Sequence, residues 1–129
     1  MAAPSPCPCG SGAGLTTCCG RWHAGEPAPT AEALMRSRYS AYVLGLEDYL
    51  LATWHESSRP EALGLATQSP RPTWLGLSVK RHENPTPETA IVEFVARLRM
   101  GGNSAERMHE TSRFVHADGR WYYLDGELR

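Results

Sequence analysis

The sequence predicts an α+β fold in which a small cysteine-rich unit precedes three helices packed on a four-stranded antiparallel sheet. Three observations lead to this prediction. All four cysteines lie between positions 7 and 19. Apolar residues then recur at helical spacing, and from Trp74 onward they alternate with a period of two. With 129 residues, 41% of them hydrophobic, the chain is long enough for one ordinary domain and a small appendage.

The cysteines have the spacing C-x-C, eight residues, then C-C, and are Cys7, Cys9, Cys18 and Cys19. Disulfides within either close pair would be strained, and crossed bridges are disfavoured in a reducing compartment. The segment has few apolar side chains, and so small a unit usually needs a metal or disulfides to fold. We therefore predict one zinc ion, whose four ligands leave no open position and indicate a structural role. An iron–sulfur cluster or redox-active thiols are the alternatives.

His23 leaves the identity of the fourth ligand open. It lies four residues after Cys19 and could replace that cysteine, which would give a site of three cysteines and one histidine. The four cysteines already complete a tetrahedral set. They are the predicted ligands, and His23 is the alternative to Cys19.

The chain is predicted to divide at residues 24–30, AGEPAPT, because proline and glycine are concentrated there. The predicted domains are 1–25 and 30–129. No stretch approaches the ~20 apolar residues of a membrane helix, and the N-terminus has neither the basic start nor the apolar run of a secretory signal. We therefore expect a cytoplasmic location.

Three helices are predicted after this boundary. Thr30 is a suitable N-cap for a helix over Ala31–Leu44, which Gly45 ends. A second helix is predicted over 47–55, and a short third one over 60–66 with a proline in its first turn.

Four strands are predicted from Trp74 onward. In the first strand, alternation predicts that one face carries the apolar residues Leu75, Leu77 and Val79. The second, TAIVEFVARLRM, does the same with Val92, Phe94, Ala96 and Leu98. The glycines of GGN predict the next turn, and Asp118–Gly119 is a strong signal for a two-residue hairpin.

The stretch CPCGSG followed by CCG resembles the SEC-C motif, named for the zinc-binding tail of the SecA protein-translocation ATPase. The resemblance implies zinc ligands at Cys7, Cys9, Cys18 and Cys19, the last position being cysteine or histidine in the motif. In the translocase this tail docks a partner chaperone, which suggests protein binding.

The order of helices and strands resembles the nuclear-transport-factor-like cone, shared by ketosteroid isomerases. In that fold a curved sheet wraps a long helix and leaves a pocket between them. The segments MRSRYSAYVLG, LATWH, WLGL, EFVAR, HETSRF and WYYLDG, together with the cysteine motif, resemble the YchJ-like family of small bacterial proteins over nearly the whole chain. This resemblance implies the fold and no particular activity.

The implied pocket has several candidate side chains. The polar ones are His55, Glu93, His109 and Glu110, and the aromatic walls are Tyr39, Trp54 and Trp74. Glu93 could act as a general base, but we expect it to pair with Arg38 or Arg97, because buried charges are normally paired. We expect His55 to interact with the end of its helix. His109 and Glu110 are neighbours on a strand, so they point to opposite faces and cannot serve one site directly.

Three hypotheses for function follow. The leading one is a non-catalytic module whose zinc unit binds a protein, for example a ribosome- or translocation-associated one. The alternative is a protein that binds a small molecule in the cone pocket, or an enzyme of the lyase or isomerase type. The third is a zinc unit that only fastens the N-terminus to the cone.

The net charge of −1 gives no reason to expect binding to nucleic acid or to a membrane surface. The aromatic cluster 121–123 is more typical of a core strand than of a nucleic-acid contact.

Overall fold

The structure of the protein, a computed structural model, describes residues 6–128, so residues 1–5 and 129 of the two predicted domains lie outside the described part. Three α-helices precede four β-strands within it. The helices are α1 (Cys19–His23), α2 (Ala31–Leu44) and α3 (Glu47–Ala52), with 3₁₀ turns at Leu15–Thr17 and Leu65–Thr67. The strands are β1 (Pro72–Thr86), β2 (Thr89–Met100), β3 (Glu106–Ala117) and β4 (Arg120–Leu128). The predicted α+β class is confirmed.

Helix α2 lies against the sheet and has the predicted bounds. The Thr30 hydroxyl accepts a hydrogen bond of 3.0 Å from the backbone N–H of Ala33, which is an N-cap interaction. Gly45 ends the helix, and buried residues such as Leu34 and Met35 line its inner side. The helix contacts β1, β2 and β4. No helix of residues 6–128 has the length and apolar character needed to cross a membrane.

The four strands pair in chain order as an antiparallel meander. Asp118 and Gly119 form the last turn with φ angles of 52° and 78°, the left-handed conformation that a tight hairpin requires. The inner face of β2 is buried as predicted, through Val92, Phe94 and Ala96. Bulges interrupt the pairing of β1 with β2 and of β3 with β4. Because bulges bend strands and increase their twist, they account for the curvature of the cone.

The cysteine-rich segment and the cone share one hydrophobic core. The three most buried cysteines belong to the same cluster of side chains as Met35 and Tyr39 of α2, and they are Cys7, Cys9 and Cys19. Leu15 packs against this cluster. The segment is therefore docked on α2, whereas the division into domains 1–25 and 30–129 stays a prediction.

The helix predictions beyond residue 52 are wrong. Helix α3 ends at Ala52, well before the predicted end at His55, and Trp54 instead forms a bridge with Tyr123 of β4. Residues 60–66 do not form an α-helix. The Glu47 carboxylate accepts hydrogen bonds from the backbone N–H groups of two loop residues at 3.1 and 2.9 Å, Leu63 and Leu65. These two amides therefore bind a side chain and are not available for helical hydrogen bonds.

The predicted inner face of β1 is wrong at one residue. A bulge between Trp74 and Gly76 shifts the strand, so that Trp74 and Leu77 pack against the core. Leu75, which was expected beside Leu77, is 36% exposed. A single inserted residue reverses the alternation at that point, and periodicity alone cannot locate it.

Candidate functional site

The candidate metal centre is built from two turns of the chain. Cys7 and Cys9 lie on a tight loop that the Cys7 backbone N–H closes with a hydrogen bond of 2.9 Å to the Ala13 carbonyl. Cys18 and Cys19 stand at the start of α1. Gly20 allows this helix to approach the preceding 3₁₀ turn, since a Cβ atom there would lie 2.6 Å from the Leu15 carbonyl oxygen.

The four sulfur atoms converge as the spacing predicts. All of them lie within 4.8 Å of one another, and Cys9 Sγ is 3.7 Å from Cys18 Sγ. A tetrahedral ion with metal–sulfur bonds of about 2.3 Å would hold its sulfurs about 3.8 Å apart. The described cysteines form no disulfide. The cluster can therefore hold a metal ion with all four side chains.

The charge state of the cluster depends on hydrogen bonds between its own thiols. The Cys19 thiol donates to Cys9 and, with a further contribution from Ser11, lowers the pKa of Cys9 to about 4 although burial opposes this. The same hydrogen bond, followed by burial, raises the pKa of Cys19, and burial raises that of Cys18. One thiolate thus forms readily and opposes ionisation of its neighbours. A bound divalent cation would offset this repulsion and allow all four sulfurs to ionise.

Two serine hydroxyls that the sequence analysis missed contact the sulfurs. Ser11 Oγ lies 3.1 Å from Cys18 Sγ, and Ser40 Oγ of α2 lies 3.5 Å from Cys7 Sγ. Hydroxyl groups of this kind can stabilise thiolates around a metal. Ser11 was within the recognised motif, but Ser40 could not be assigned because it is distant in sequence.

His23, the alternative fourth ligand, lies outside the cysteine cluster. Its Nε2 is 2.8 Å from the Ser37 carbonyl oxygen, and its ring packs edge-on against Tyr49 at 4.8 Å between centroids. Both contacts fasten α1 to the helices of the cone. This arrangement favours Cys19 over His23 as the fourth ligand.

Further contacts fasten the cysteine-rich segment to the cone. Arg36 Nη1 of α2 donates to the Cys9 carbonyl oxygen at 3.1 Å, and Arg36 also pairs with Glu32. Arg120 of β4 donates to the Gly25 carbonyl oxygen at 3.1 Å. The cysteine-rich segment is therefore held by α2 and by the last strand together.

A pocket of about 260 Å³ lies between α2 and the inner face of the sheet. Aromatic rings form most of its wall: Tyr39, Tyr42, Trp54, Trp74, Phe94, Phe114 and Tyr123. Arg38 and Glu110 are the charged side chains that line it, and the Ser112 hydroxyl donates to Glu110. The cone is thus hollow at this point, with an apolar wall and a few polar groups, which is typical of a small-molecule site.

Comparisons with known proteins agree with this architecture. Residues 30–126 match the family model described as YchJ, middle NTF2-like domain. The chain belongs to the YchJ-like family. A UPF0225 protein of Chromobacterium violaceum is 61% identical over 128 residues, which cover 96% of this chain and 93% of that protein. A second UPF0225 protein, of Xanthomonas campestris, is 59% identical over 120 residues, which cover 93% of this chain and 92% of that protein.

Two solved structures share the whole fold with this YchJ-like chain. A SEC-C motif containing protein of Rhodopseudomonas palustris superposes with a TM-score of 0.83 at 37% identity, covering 94% of this chain and 96% of that one. A SEC-C motif containing protein of Psychrobacter arcticus gives 0.80 at 29% identity, covering 95% and 82%. The recognised cysteine motif and the family are therefore confirmed.

The structure brings four of the predicted pocket residues of the YchJ-like cone together. These are Tyr39, Trp54, Trp74 and Glu110. His55 is not among the lining residues, and its Nδ1 instead lies 2.7 Å from Ser57 Oγ. It does not follow a helix end directly, because α3 stops at Ala52.

Glu93 faces away from the pocket, on the outer side of the sheet. It pairs with Arg81 at 3.3 Å and with His109 Nε2 at 2.6 Å. The expected pairing with an arginine is correct in kind, but the expected partners, Arg38 and Arg97, are wrong. Arg81 is the residue opposite Glu93 in the register of β1 and β2, and that register depends on a bulge after Val79. His109 and Glu110 lie on opposite faces, as predicted.

Arg38 is a charged pocket residue that was not among the predicted pocket candidates. It follows Met35 by three residues and precedes Tyr42 by four, so it lies on the same stripe of α2 as the pocket aromatics. The sequence signal that could have identified Arg38 as a pocket residue is its charge within that apolar stripe. Tyr123, from the aromatic cluster of β4, also lines the pocket, which agrees with the core role expected for that strand.

Proposed function

We propose that this protein binds a small organic molecule in the cone pocket and that a structural zinc ion in the cysteine cluster holds the pocket in shape. The observation that carries the proposal is the position of Met35 and Tyr39. Both line the pocket, and both belong to the buried cluster that contains Cys7, Cys9 and Cys19. A change at the metal centre would therefore alter the packing of the pocket wall.

Zinc is the metal that the donor set favours. Four cysteine sulfurs in a compact group suit tetrahedral zinc, and the four protein ligands would leave no position for a substrate or water. The ion would then supply folding free energy, on the order of 10 kcal/mol for such sites. An iron–sulfur cluster or redox-active thiols remain the alternatives that metal analysis would distinguish. Free thiols kept for metal also suit a cytoplasmic location, which we include in the proposal.

Binding is favoured over catalysis by the small number of reactive groups in the pocket. Within the lining of residues 6–128 the charged groups are Arg38 and Glu110, and no histidine accompanies them. Glu110 accepts a hydrogen bond from the Ser112 hydroxyl. The lining contains no paired carboxylates and no acid–base pair of the kind that isomerases and lyases use.

The test uses indole as a neutral apolar probe and the methionine methyl groups as reporters. Met35 and Met108 line the pocket, whereas Met100 lies at the far end of β2. We expect indole to shift the methyl NMR signals of Met35 and Met108 but not that of Met100. Filling the pocket by Ala96→Leu should abolish the shifts, and the same change at the exposed Ala105 should not. Equal shifts at all three methionines, or none, would contradict the proposal.

A second candidate function is recognition of a protein by the cysteine-rich segment. It is favoured by the exposure of the outer loop, residues 10–13, and of Thr16 and Thr17, while three of the cysteines are buried. Deleting residues 1–25 would expose the shared core, so a surface variant is the better test. If this candidate is correct, Thr16→Glu prevents a partner protein from being crosslinked to the chain. The metal content and the indole binding of this variant stay unchanged. A partner retained by Thr16→Glu would count against it.

A further inference from the structure

The pocket contains a buried guanidinium that its protein surroundings satisfy only in part. Arg38 is 6% exposed and lies on the inner side of α2. Its Nη1 donates to the Leu50 carbonyl oxygen and to Thr53 Oγ1, both at 2.7 Å. Among the hydrogen bonds of residues 6–128, none leaves from Arg38 Nε or Nη2. Arg38 lines the pocket, and the edge formed by Nε and Nη2 has no hydrogen-bond partner among the described residues.

No carboxylate of the described residues lies within ion-pair distance of Arg38. The cation instead stacks on two rings, 4.6 Å from the centroid of Tyr123 and 5.2 Å from that of Trp54. Glu110 lines the same pocket, accepts a hydrogen bond from Ser112, and acts on Arg38 through its charge without forming an ion pair with it. Buried charges are normally matched by an opposite charge, and the aromatic faces compensate a cation only partly.

The chain itself shows what the free edge of an arginine binds. On the outer face of the sheet, Arg113 donates from Nε and Nη2 to the two carboxylate oxygens of Asp125, the first at 2.6 Å. This side-on, two-bond contact is the preferred geometry between arginine and a carboxylate. In Arg38 the same edge has no such partner, and the residue lines a pocket.

We propose that the pocket takes a small carboxylic acid with a flat apolar body, its carboxylate bound side-on by Arg38 Nε and Nη2. The proposal rests on the small-molecule binding proposed above and specifies the chemical class of the ligand. The aromatic walls suit a flat body, and the volume of about 260 Å³ suits one ring with a short acidic side chain.

The experiment compares 4-hydroxyphenylacetate with its neutral amide, 4-hydroxyphenylacetamide, by the methyl signals of Met35 and Met108 and by calorimetry. The two probes differ little in shape, so the comparison isolates the charge. We expect the acid to bind about ten-fold more tightly than the amide, because a charge-assisted two-bond contact is replaced by a neutral one. Arg38→Met should remove that preference, and Arg97→Met, an exposed arginine outside the pocket, should preserve it.

The possible outcomes distinguish the carboxylate assignment from the small-molecule binding on which it rests. Equal binding of acid and amide, with no effect of Arg38→Met, would overturn the carboxylate assignment and leave small-molecule binding intact. Failure of both probes and of indole to shift Met35 and Met108 would overturn both proposals. If Arg38→Met does not fold, the comparison of acid and amide on the unchanged protein still decides the assignment.

Discussion

Cys7 and Ser40 meet where the cysteine-rich segment contacts helix α2, with Cys7 Sγ 3.5 Å from Ser40 Oγ. Ser40 is fully buried and follows Arg38 and Tyr39, two residues of the pocket wall, within one helical turn. The contact links a candidate metal ligand to the helix that shapes the pocket. The cysteine cluster and the pocket are therefore parts of one packed unit.

The first prediction concerns the fourth metal ligand. Cys19→Ser should abolish stoichiometric metal binding, because its thiol lies inside the cluster, whereas His23→Ala should retain one ion per chain. His23→Ala should still lower the unfolding free energy by about 1 kcal/mol, because it removes the hydrogen bond between His23 and the Ser37 carbonyl oxygen. Elemental analysis and chemical denaturation measure the two effects. Metal retained by Cys19→Ser and lost by His23→Ala would reverse the ligand assignment.

The second prediction concerns the acid sensitivity of the loop that follows α3. Hydrogen bonds from the backbone of Leu65 and Leu63 lower the pKa of Glu47 below its ordinary value of 4.5. The carboxylate therefore stabilises the loop above that ordinary value, and the contribution is lost as the pH falls through the lowered pKa. Amide exchange at Leu63 and Leu65 should accelerate at acid pH, while that of Thr67, bonded to Gly64, should show no such additional change. A response shared equally by all three amides, after correction for intrinsic exchange, would refute this role.

The third prediction separates the two acidic candidates. Glu110 lines the pocket and Glu93 lies on the opposite face of the sheet, paired with Arg81 and His109. Glu110→Gln should therefore increase the affinity for 4-hydroxyphenylacetate by about ten-fold, through removal of roughly 1.4 kcal/mol of charge repulsion. Glu93→Gln is the matched control and should leave the affinity unchanged. A larger effect at Glu93 would place the ligand on the wrong side of the sheet.

The sequence was sufficient to predict the convergence of the four cysteines and most of the fold because both depend on local patterns. The spacing of the cysteines brings the sulfurs together, and Thr30 and Gly45 bound α2 as predicted. Alternation along β2 identified its buried face. These features depend on residues a few positions apart, where spacing and chain geometry determine the contacts.

The features that the sequence did not predict depend on contacts between residues that are far apart in the sequence. Residues 60–66 lack an α-helix because Glu47, far back in the chain, takes two of their amides. Arg81 pairs with Glu93 only after a bulge has shifted β1. Docking of the cysteine-rich segment on the cone was one of three hypotheses, and local patterns could not select it because Ser40 and Arg36 contact the segment from α2. In each case tertiary packing determined what local periodicity left open.

The most direct test of the account follows the Met35 methyl signal and the affinity for indole before and after chelation of the metal. Met35 is the reporter because it packs in the core with the cysteines and also lines the pocket, and Met100 is the reference. We expect chelation to shift or broaden the Met35 signal, to weaken indole binding by about ten-fold or more, and to lower the melting temperature of the whole chain. Loss of the metal with Met35, indole affinity and melting temperature unchanged would contradict the claim that the metal centre holds the pocket in shape.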